Sequence, residues 1–192
     1  MILNYRKLTD TLFGKLELAR YVDENNIAHL VGVALVTYGA VDKKVIRNPS
    51  FSVNPDLFDA FGAELDDLGR LHWLVNTRKV TTILEFGLGK STIVFDDALS
   101  KNKSRDQHLI KDTLRRNNQY ECHSVDNCEN WIEEVKSKNQ LDTVTYHKAD
   151  LLMGEFNGRV CTYYDPLPNL CPDLIYLDGP DQFSPVGSVR GV

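Results

Sequence analysis

Long apolar runs, an excess of positive charge and closely spaced cysteine pairs are all missing from this chain of 192 residues. Its first twenty residues mix charged with apolar side chains, which argues against a signal peptide or a membrane span there. A net charge of −5 argues against a general phosphate-binding surface, because such a surface needs clustered Lys and Arg. We therefore expect a cytoplasmic protein that binds neither membrane nor nucleic acid.

Cysteine is scarce and irregularly spaced, with no Cys-x-x-Cys pair. This spacing argues against a zinc site and makes a disulfide framework unnecessary. We expect all four cysteines to be reduced: Cys122, Cys128, Cys161 and Cys171. What the chain does have is 42% hydrophobic residues, enough for a sizeable core in one domain.

Helical patterns dominate the first 78 residues. Apolar residues within 8–38 recur at mixed helical spacings, which predicts two helices. Asn54 and Pro55 predict another helix start, because Asn caps free N–H groups and Pro tolerates the first helical position. An apolar stripe then predicts a helix that ends near Thr77: Leu57, Phe58, Phe61, Leu65, Leu68, Leu71 and Leu74. We interpret 1–78 as an N-terminal helical segment packing on the core.

Residues 79–192 contain short apolar runs that each lead into a turn. They predict strands over 80–86, 122–126, 144–147 and 173–178, with helical segments between them and an exposed polar insertion over 101–116. Alternating strands and helices predict an α/β fold, a Rossmann-like doubly wound, mostly parallel sheet that binds ligands at the carboxyl ends of its strands. No later apolar run follows, so we expect the core to be truncated after the fourth strand.

The first predicted strand leads into a turn with two glycines, Gly87 and Gly89, before a predicted helix over 93–99. Glycines let a backbone approach a ligand closely, and a helix N-terminus offers unpaired N–H groups, although a simple tight turn would use the same residues. A P-loop needs glycine where Leu84 stands, and the dinucleotide fingerprint needs a third small residue where Thr92 stands. Both of those motifs are incomplete.

The segment Ile83-Leu-Glu-Phe-Gly-Leu-Gly89 resembles the first motif of class I S-adenosylmethionine-dependent methyltransferases, an acidic residue followed by Gly-x-Gly. This resemblance implies S-adenosylmethionine as the cofactor. It implies cofactor-binding roles for Glu85, Gly87, Gly89 and Ser91.

Further acidic residues follow the next predicted strands. The second strand ends at Asp126, beside Asn127, where this family usually holds the two ribose hydroxyls with a carboxylate. The third ends near Asp150 and Leu151, where the family often contacts the adenine amino group. Any single Asp in a turn is equally expected as a solvated residue or a helix cap. Their order along successive strands is what would bring them to one edge of the sheet.

The fourth predicted strand ends in Asp178-Gly-Pro-Asp181, at the position that in this family faces the methyl group and its acceptor. The resemblance implies that Asp178 is catalytic, as a base or as part of a divalent metal site. The motif lacks the Asn/Asp-Pro-Pro-Tyr/Phe pattern of amino-group methylation, which favours transfer to an oxygen of a small molecule or sugar. The acceptor side of such an enzyme would be largely absent from this chain.

Two alternatives to a methyltransferase stay open. One is a nucleotide-binding Rossmann module without transferase chemistry, which would use the same turns. The other is a P-loop phosphotransferase, suggested by Gly89-Lys-Ser-Thr92.

Several further residues have a structural interpretation. His123 and His147 alternate with apolar neighbours in predicted strands, so we expect them to be packed or hydrogen-bonded. Tyr163 and Tyr164 lie in an apolar run over 160–165 that predicts an extra strand near the cofactor edge. Aromatic residues there suit packing as well as substrate contact. We expect Trp131 to pack from a helix.

Overall fold

A computed structural model describes residues 17–32, 65–110, 114 and 119–180. The predicted helix start at Asn54 and Pro55, and Asp181 of the fourth motif, lie outside these residues. The helices are α1 Leu18–Glu24, α2 Ile27–Leu30, α3 Leu65–Thr77, α4 Lys90–Ile110 and α5 Glu129–Lys138. The strands are β1 Thr82–Phe86, β2 Glu121–Asp126, β3 Val144–Lys148, β4 Asp150–Phe156, β5 Arg159–Asp165 and β6 Leu174–Leu177. None of the described helices is both long and apolar enough to cross a membrane.

The chain divides into two compact units, Met1–Leu74 and Val75–Val192. In the first unit, α1 and α2 occupy the described part of the segment for which two helices are predicted. Asn26 joins them in the left-handed region, at a φ of 57°, which Asn tolerates better than most residues. The Tyr21 hydroxyl lies 2.8 Å from Nδ1 of His72, a hydrogen bond that ties α1 to α3 inside this unit.

The second unit is built on a parallel four-stranded sheet with the strand order β3-β2-β1-β6. These are the four strands that the apolar runs predict, so the α/β fold with a parallel sheet is confirmed. Glu85 of β1 lies level with Ser124 of β2 and with Tyr176 of β6. Residues at the same level of neighbouring strands face the same side of a sheet, so these three side chains share one face.

Between β3 and β6 the chain forms an antiparallel hairpin of β4 and β5, so the helical segment expected there was wrong. Asn157 and Gly158 join the two strands, and both have a positive φ, 52° and 73°. Asn-Gly is a strong local signal for a two-residue hairpin, since that turn needs positive φ at both positions. The extra strand expected over 160–165 is confirmed as β5.

Helix α4 is much longer than the predicted segment, and it includes residues 101–110, which were expected to form an exposed insertion. That expectation was wrong because polar side chains occupy the inward face of the helix. The amide of Asn102, which is fully buried, donates to the carbonyl oxygens of Val75 and Val80 at 3.0 Å each. Asp106 is also buried, and its carboxylate accepts bonds from Arg105 at 2.7 and 2.9 Å. Asn102 and Asp106 therefore both have hydrogen-bond partners, which removes most of the free-energy cost of burying them.

Candidate functional site

The candidate site is the edge of the sheet formed by the carboxyl ends of β1, β2 and β6. β2 and β3 lie on one side of β1 and β6 lies on the other, so the strand order reverses between β1 and β6. In open parallel sheets, ligands bind in the crevice outside the carboxyl ends at such a reversal. Gly87 follows β1, Asp126 ends β2 and Asp178 follows β6, so these three predicted residues come to one edge.

The turns after β1 and β6 touch each other through two glycines. Gly87 has a φ of 90°, and a Cβ placed on it would lie 2.8 Å from the carbonyl oxygen of Asp178. A Cβ on Gly179 would lie 3.0 Å from the Cα of Gly87. Both positions therefore need glycine for space, and Gly87 needs it for its backbone conformation as well.

Asp126 clamps the turn after β1 to the turn after β2. Its Oδ2 accepts the backbone N–H of Leu88 at 3.1 Å, and its Oδ1 accepts the N–H of Cys128 at 2.8 Å. The residue is only 8% exposed. On the other side of the turn, the indole N–H of Trp131 donates to the carbonyl oxygen of Leu88 at 2.8 Å. The peptide groups of Leu88 are thus held from both sides, and the packing expected of Trp131 is found.

Glu85 is fully buried beneath this edge, and three hydroxyl groups surround its carboxylate. Oε1 accepts a bond from the Ser91 hydroxyl at 2.5 Å. Oε2 accepts bonds from the Thr92 hydroxyl at 2.7 Å and the Ser124 hydroxyl at 2.6 Å. Burial raises the pKa of Glu85, the charge of Asp178 adds to the rise and the three hydrogen bonds oppose it, with a net pKa of about 7. In this position Glu85 holds β1, β2 and the start of α4 together.

Gly89 differs from Gly87, although both belong to the same predicted motif. A Cβ at Gly89 would meet no atom of the described chain within 4 Å, so packing does not require glycine there. Its N–H donates to the Thr92 hydroxyl at 3.0 Å, a bond that caps the start of α4. Among the other predicted residues of these turns, Ser91 is buried and Asn127 is half-buried. The open side of the turn after β1 is therefore at Gly89.

The structure places Asp150 and Leu151 in the hairpin instead of in a turn after β3. Asp150 is the first residue of β4, is exposed, and forms an ion pair with Lys148. Leu151 packs with Tyr164 against a cluster that includes Leu84 and Val125 on the sheet. Both residues therefore belong to the base of the hairpin.

Asp178 lies immediately after β6, and its side chain is exposed at the edge. Its N–H donates to the carbonyl oxygen of Phe86 at 2.8 Å, which extends the pairing of β1 and β6 by one residue. Backbone pairing thus fixes where the carboxylate emerges. Among residues 17–32, 65–110, 114 and 119–180, no group of three His, Cys, Asp or Glu side chains could hold a metal ion.

Several residues that shape this edge were not identified from the sequence as site residues: Ser124, Thr92, Gly179 and Tyr164. Thr92 stands where the dinucleotide fingerprint needs a small residue. Its hydroxyl accepts the N–H of Gly89 at the start of α4 and donates to Glu85. Ser124 could have been suspected only from its level beside Glu85, which requires knowing that β1 pairs with β2. The sequence offered signals for two of the four: Gly179 directly follows Asp178, and Tyr164 lies in the extra strand predicted near the cofactor edge.

The two strand histidines are hydrogen-bonded to each other, as expected of structural residues. Nδ1 of His123 lies 2.9 Å from Nε2 of His147, and Nε2 of His123 lies 3.1 Å from Oε2 of Glu121. Burial lowers the pKa of His147, and His123 lowers it further. Both ring nitrogens of His123 and Nε2 of His147 are therefore engaged within the sheet.

A half-open polar groove of about 400 Å³ lies away from this edge, at the amino ends of β2 and β3. Its lining includes Lys103 and Ser104 of α4 and Asp142 and Thr143 before β3. It lacks the apolar walls typical of small-molecule sites. We therefore base the functional interpretation on the carboxyl edge.

Comparison of the chain with models of known families, with curated proteins and with solved structures finds no match. The site has to be interpreted from its own chemistry.

Proposed function

We propose that the protein binds S-adenosylmethionine at the carboxyl edge of β1, β2 and β6 and transfers its methyl group to an oxygen of a small molecule or sugar. The observation that carries this proposal is the contact between Gly87 and the Asp178–Gly179 peptide, at the point where the strand order reverses. A Rossmann-like sheet binds its ligand at such a point, and the order β3-β2-β1-β6 agrees with the first four strands of that fold.

The turn after β1 suits a ligand that lies close to the backbone. Asp126 accepts the N–H of Leu88, Trp131 donates to its carbonyl oxygen, and Gly89 leaves open space beside the backbone. Glu85 supports the turn from beneath through Ser91 and Thr92, so its contribution to binding is indirect. A turn fixed in advance in this way loses little conformational entropy when a ligand binds.

The charge of the edge favours a cationic ligand over a polyphosphate. Asp126 and Asp178 lie at this edge, and the Glu85 carboxyl beneath it, whose pKa is raised to about 7, adds only part of a negative charge at neutral pH. Carboxylates attract a sulfonium ion and repel phosphates. The Ser91 hydroxyl, which a P-loop would direct to a metal ion, is buried and donates to Glu85. These observations support S-adenosylmethionine over NAD and ATP.

Asp178 is our candidate for the catalytic group. S-adenosylmethionine supplies a methyl group that is already electrophilic, so the protein mainly has to align the acceptor and remove its proton. Asp178 is an exposed carboxylate at the reversal point, which is suited to accepting that proton. Alternatively, Asp178 acts by contributing to a divalent metal site.

Calorimetric titration tests the cofactor. We expect S-adenosylmethionine and S-adenosylhomocysteine to bind more tightly than NAD or ATP with magnesium. Gly89→Leu should weaken that binding more than about tenfold without unfolding the protein, because the new side chain enters the open space. Gln107→Leu, at an exposed position of α4, the helix that follows Gly89, is the control and should bind normally. A preference for NAD or ATP would contradict the proposal.

A turnover assay tests the chemistry. The protein is incubated with S-adenosylmethionine and a panel of hydroxyl-bearing small molecules and sugars, and formation of S-adenosylhomocysteine is measured. Asp178→Asn should lose about 100-fold or more of any turnover while it still binds the cofactor. Binding without turnover on any acceptor would favour the nucleotide-binding module instead.

A further inference from the structure

Tyr164 of β5 carries a buried hydroxyl group whose bonding the fold does not explain. The residue is 7% exposed, and its hydroxyl has no hydrogen-bond partner among the described residues. Buried polar groups are nearly always paired, and an unpaired one raises the question of what it binds.

The hydroxyl of Tyr164 reaches the contact between the turns after β1 and β6. It lies 2.9 Å from the point where a Cβ would stand on Gly179, next to the Cα of Gly87. The aromatic ring stacks on Phe86 with 5.4 Å between ring centroids and 30° between planes. Phe86 ends β1, so this stacking directs the hydroxyl toward the edge.

The register of the hairpin selects Tyr164 over Tyr163 for this position. Tyr164 lies opposite Leu151, and both pack inward against the sheet. Tyr163 points outward, is 46% exposed, and covers Gly154. Because side chains alternate along a strand, a shift of one residue would exchange the two tyrosines. The Asn-Gly turn that joins β4 to β5 fixes the register against such a shift.

The hydroxyl stays protonated at neutral pH. Burial raises the pKa of Tyr164 above its ordinary range, and the nearby Asp126 carboxylate raises it further. The group can therefore donate a hydrogen bond at an edge whose other ionisable groups include Asp126 and Asp178. Donors at such an edge are what the acceptor atoms of a bound ligand require.

We propose that the Tyr164 hydroxyl is a ligand-binding group that donates a hydrogen bond to an oxygen or nitrogen of the bound nucleoside ligand. The identity of that ligand rests on the function proposed above. The hairpin is then a part of the binding site, because it brings this donor to the reversal point of the sheet.

Two other tyrosines provide controls. Tyr146 also has a buried hydroxyl with no hydrogen-bond partner in the described part of the chain, but it packs against the cluster of Leu88, Ile132 and Val135. Tyr146 of β3 lies level with Ser124 of β2, whereas Tyr164 packs on Val125, the next residue of β2. Successive residues of a strand face opposite sides, so the two tyrosines lie on opposite faces of the sheet. Tyr163→Phe controls for a change at the neighbouring position of β5, and Tyr146→Phe controls for the loss of another buried hydroxyl.

The experiment measures the affinity of the full chain for S-adenosylhomocysteine, NAD and ATP with magnesium by calorimetry. Tyr164→Phe should weaken binding of the preferred ligand about tenfold, the effect of one hydrogen bond in a dry site. Its melting temperature should not fall, since the variant keeps the ring and removes only an unpaired polar atom. Tyr146→Phe and Tyr163→Phe should bind like the wild type. Equal affinity of Tyr164→Phe and the wild type, or equal weakening in Tyr146→Phe, would overturn the proposal.

The outcomes separate this inference from the proposed function. If NAD or ATP is the preferred ligand and Tyr164→Phe weakens it, the methyltransferase fails and the role of Tyr164 stands. If S-adenosylhomocysteine is the preferred ligand and Tyr164→Phe does not weaken it, the proposed cofactor stands and the role of Tyr164 fails. If the wild type binds none of the three ligands, both fail. In the wild type itself, saturation with the ligand should shift the Tyr164 hydroxyl proton downfield in the NMR spectrum, and an unchanged resonance would refute the proposed bond.

Discussion

The four carboxylates predicted for the site fall into two pairs with opposite surroundings. Glu85 and Asp126 are buried: Glu85 accepts hydrogen bonds from the start of α4 and from β2, and Asp126 accepts them from the turns after β1 and β2. Asp150 and Asp178 are exposed at the ends of their elements. The inner pair therefore builds the turns, and the outer pair is accessible from solvent. An acidic residue after a strand can serve either purpose, and only its surroundings decide which.

The largest expected difference between the pairs is in stability. Asp126→Ala should lower the free energy of unfolding by about 4 kcal/mol, because the buried N–H of Leu88 and the N–H of Cys128 lose their acceptor. Asp150→Ala should lower it by less than about 0.5 kcal/mol, since its ion pair with Lys148 is exposed. Urea unfolding followed by circular dichroism measures both. Similar losses in the two variants would remove the distinction.

The second difference is a pH dependence that comes from Glu85 of the inner pair. The folded-state pKa of Glu85 is raised from 4.5 to about 7, so folding favours its protonated form. Stability from this group is complete below about pH 4.5 and is lost as the pH rises through 7, with a total of about 3 kcal/mol. Glu85→Gln should lack this loss. The measurement is urea unfolding of both proteins between pH 4.5 and 8, and parallel curves would contradict the prediction.

The smallest expected effect separates the two glycines that follow Glu85, Gly87 and Gly89. Gly87→Ala should destabilise the protein by about 2 kcal/mol, because its φ of 90° and its contact with Asp178 exclude a Cβ. Gly89→Ala should change stability by less than about 0.5 kcal/mol, since the added Cβ meets no described atom. Thermal unfolding of the two variants is the measurement. A stable Gly87→Ala would show that the two turns do not need their close contact.

The strands of the parallel sheet, and the gathering of acidic residues and glycines at one edge of it, could be predicted from local patterns. Short apolar runs identify β1, β2, β3 and β6, although only β1 and β2 are buried along nearly their whole length. The glycines after β1 identify a turn for the same local reason. The hairpin was equally readable from Asn157 and Gly158, and the expectation of regular helical crossovers concealed it. The length of α4 was not readable, since its buried Asn102 and Asp106 appear in the sequence as solvent-exposed residues.

By itself, then, the sequence determined the four parallel strands and the edge where acidic residues and glycines gather, since these depend on neighbours along the chain. Tertiary structure decided what each residue does there. Glu85 meets Ser124 and Asp126 meets Leu88 across almost forty residues of chain, and strand pairing sets both contacts. Pairing likewise turns Tyr164 inward and Tyr163 outward. A carboxylate or a hydroxyl has the same composition whether it is buried or exposed, so only packing separates the groups that hold the turns from the groups that can bind a ligand.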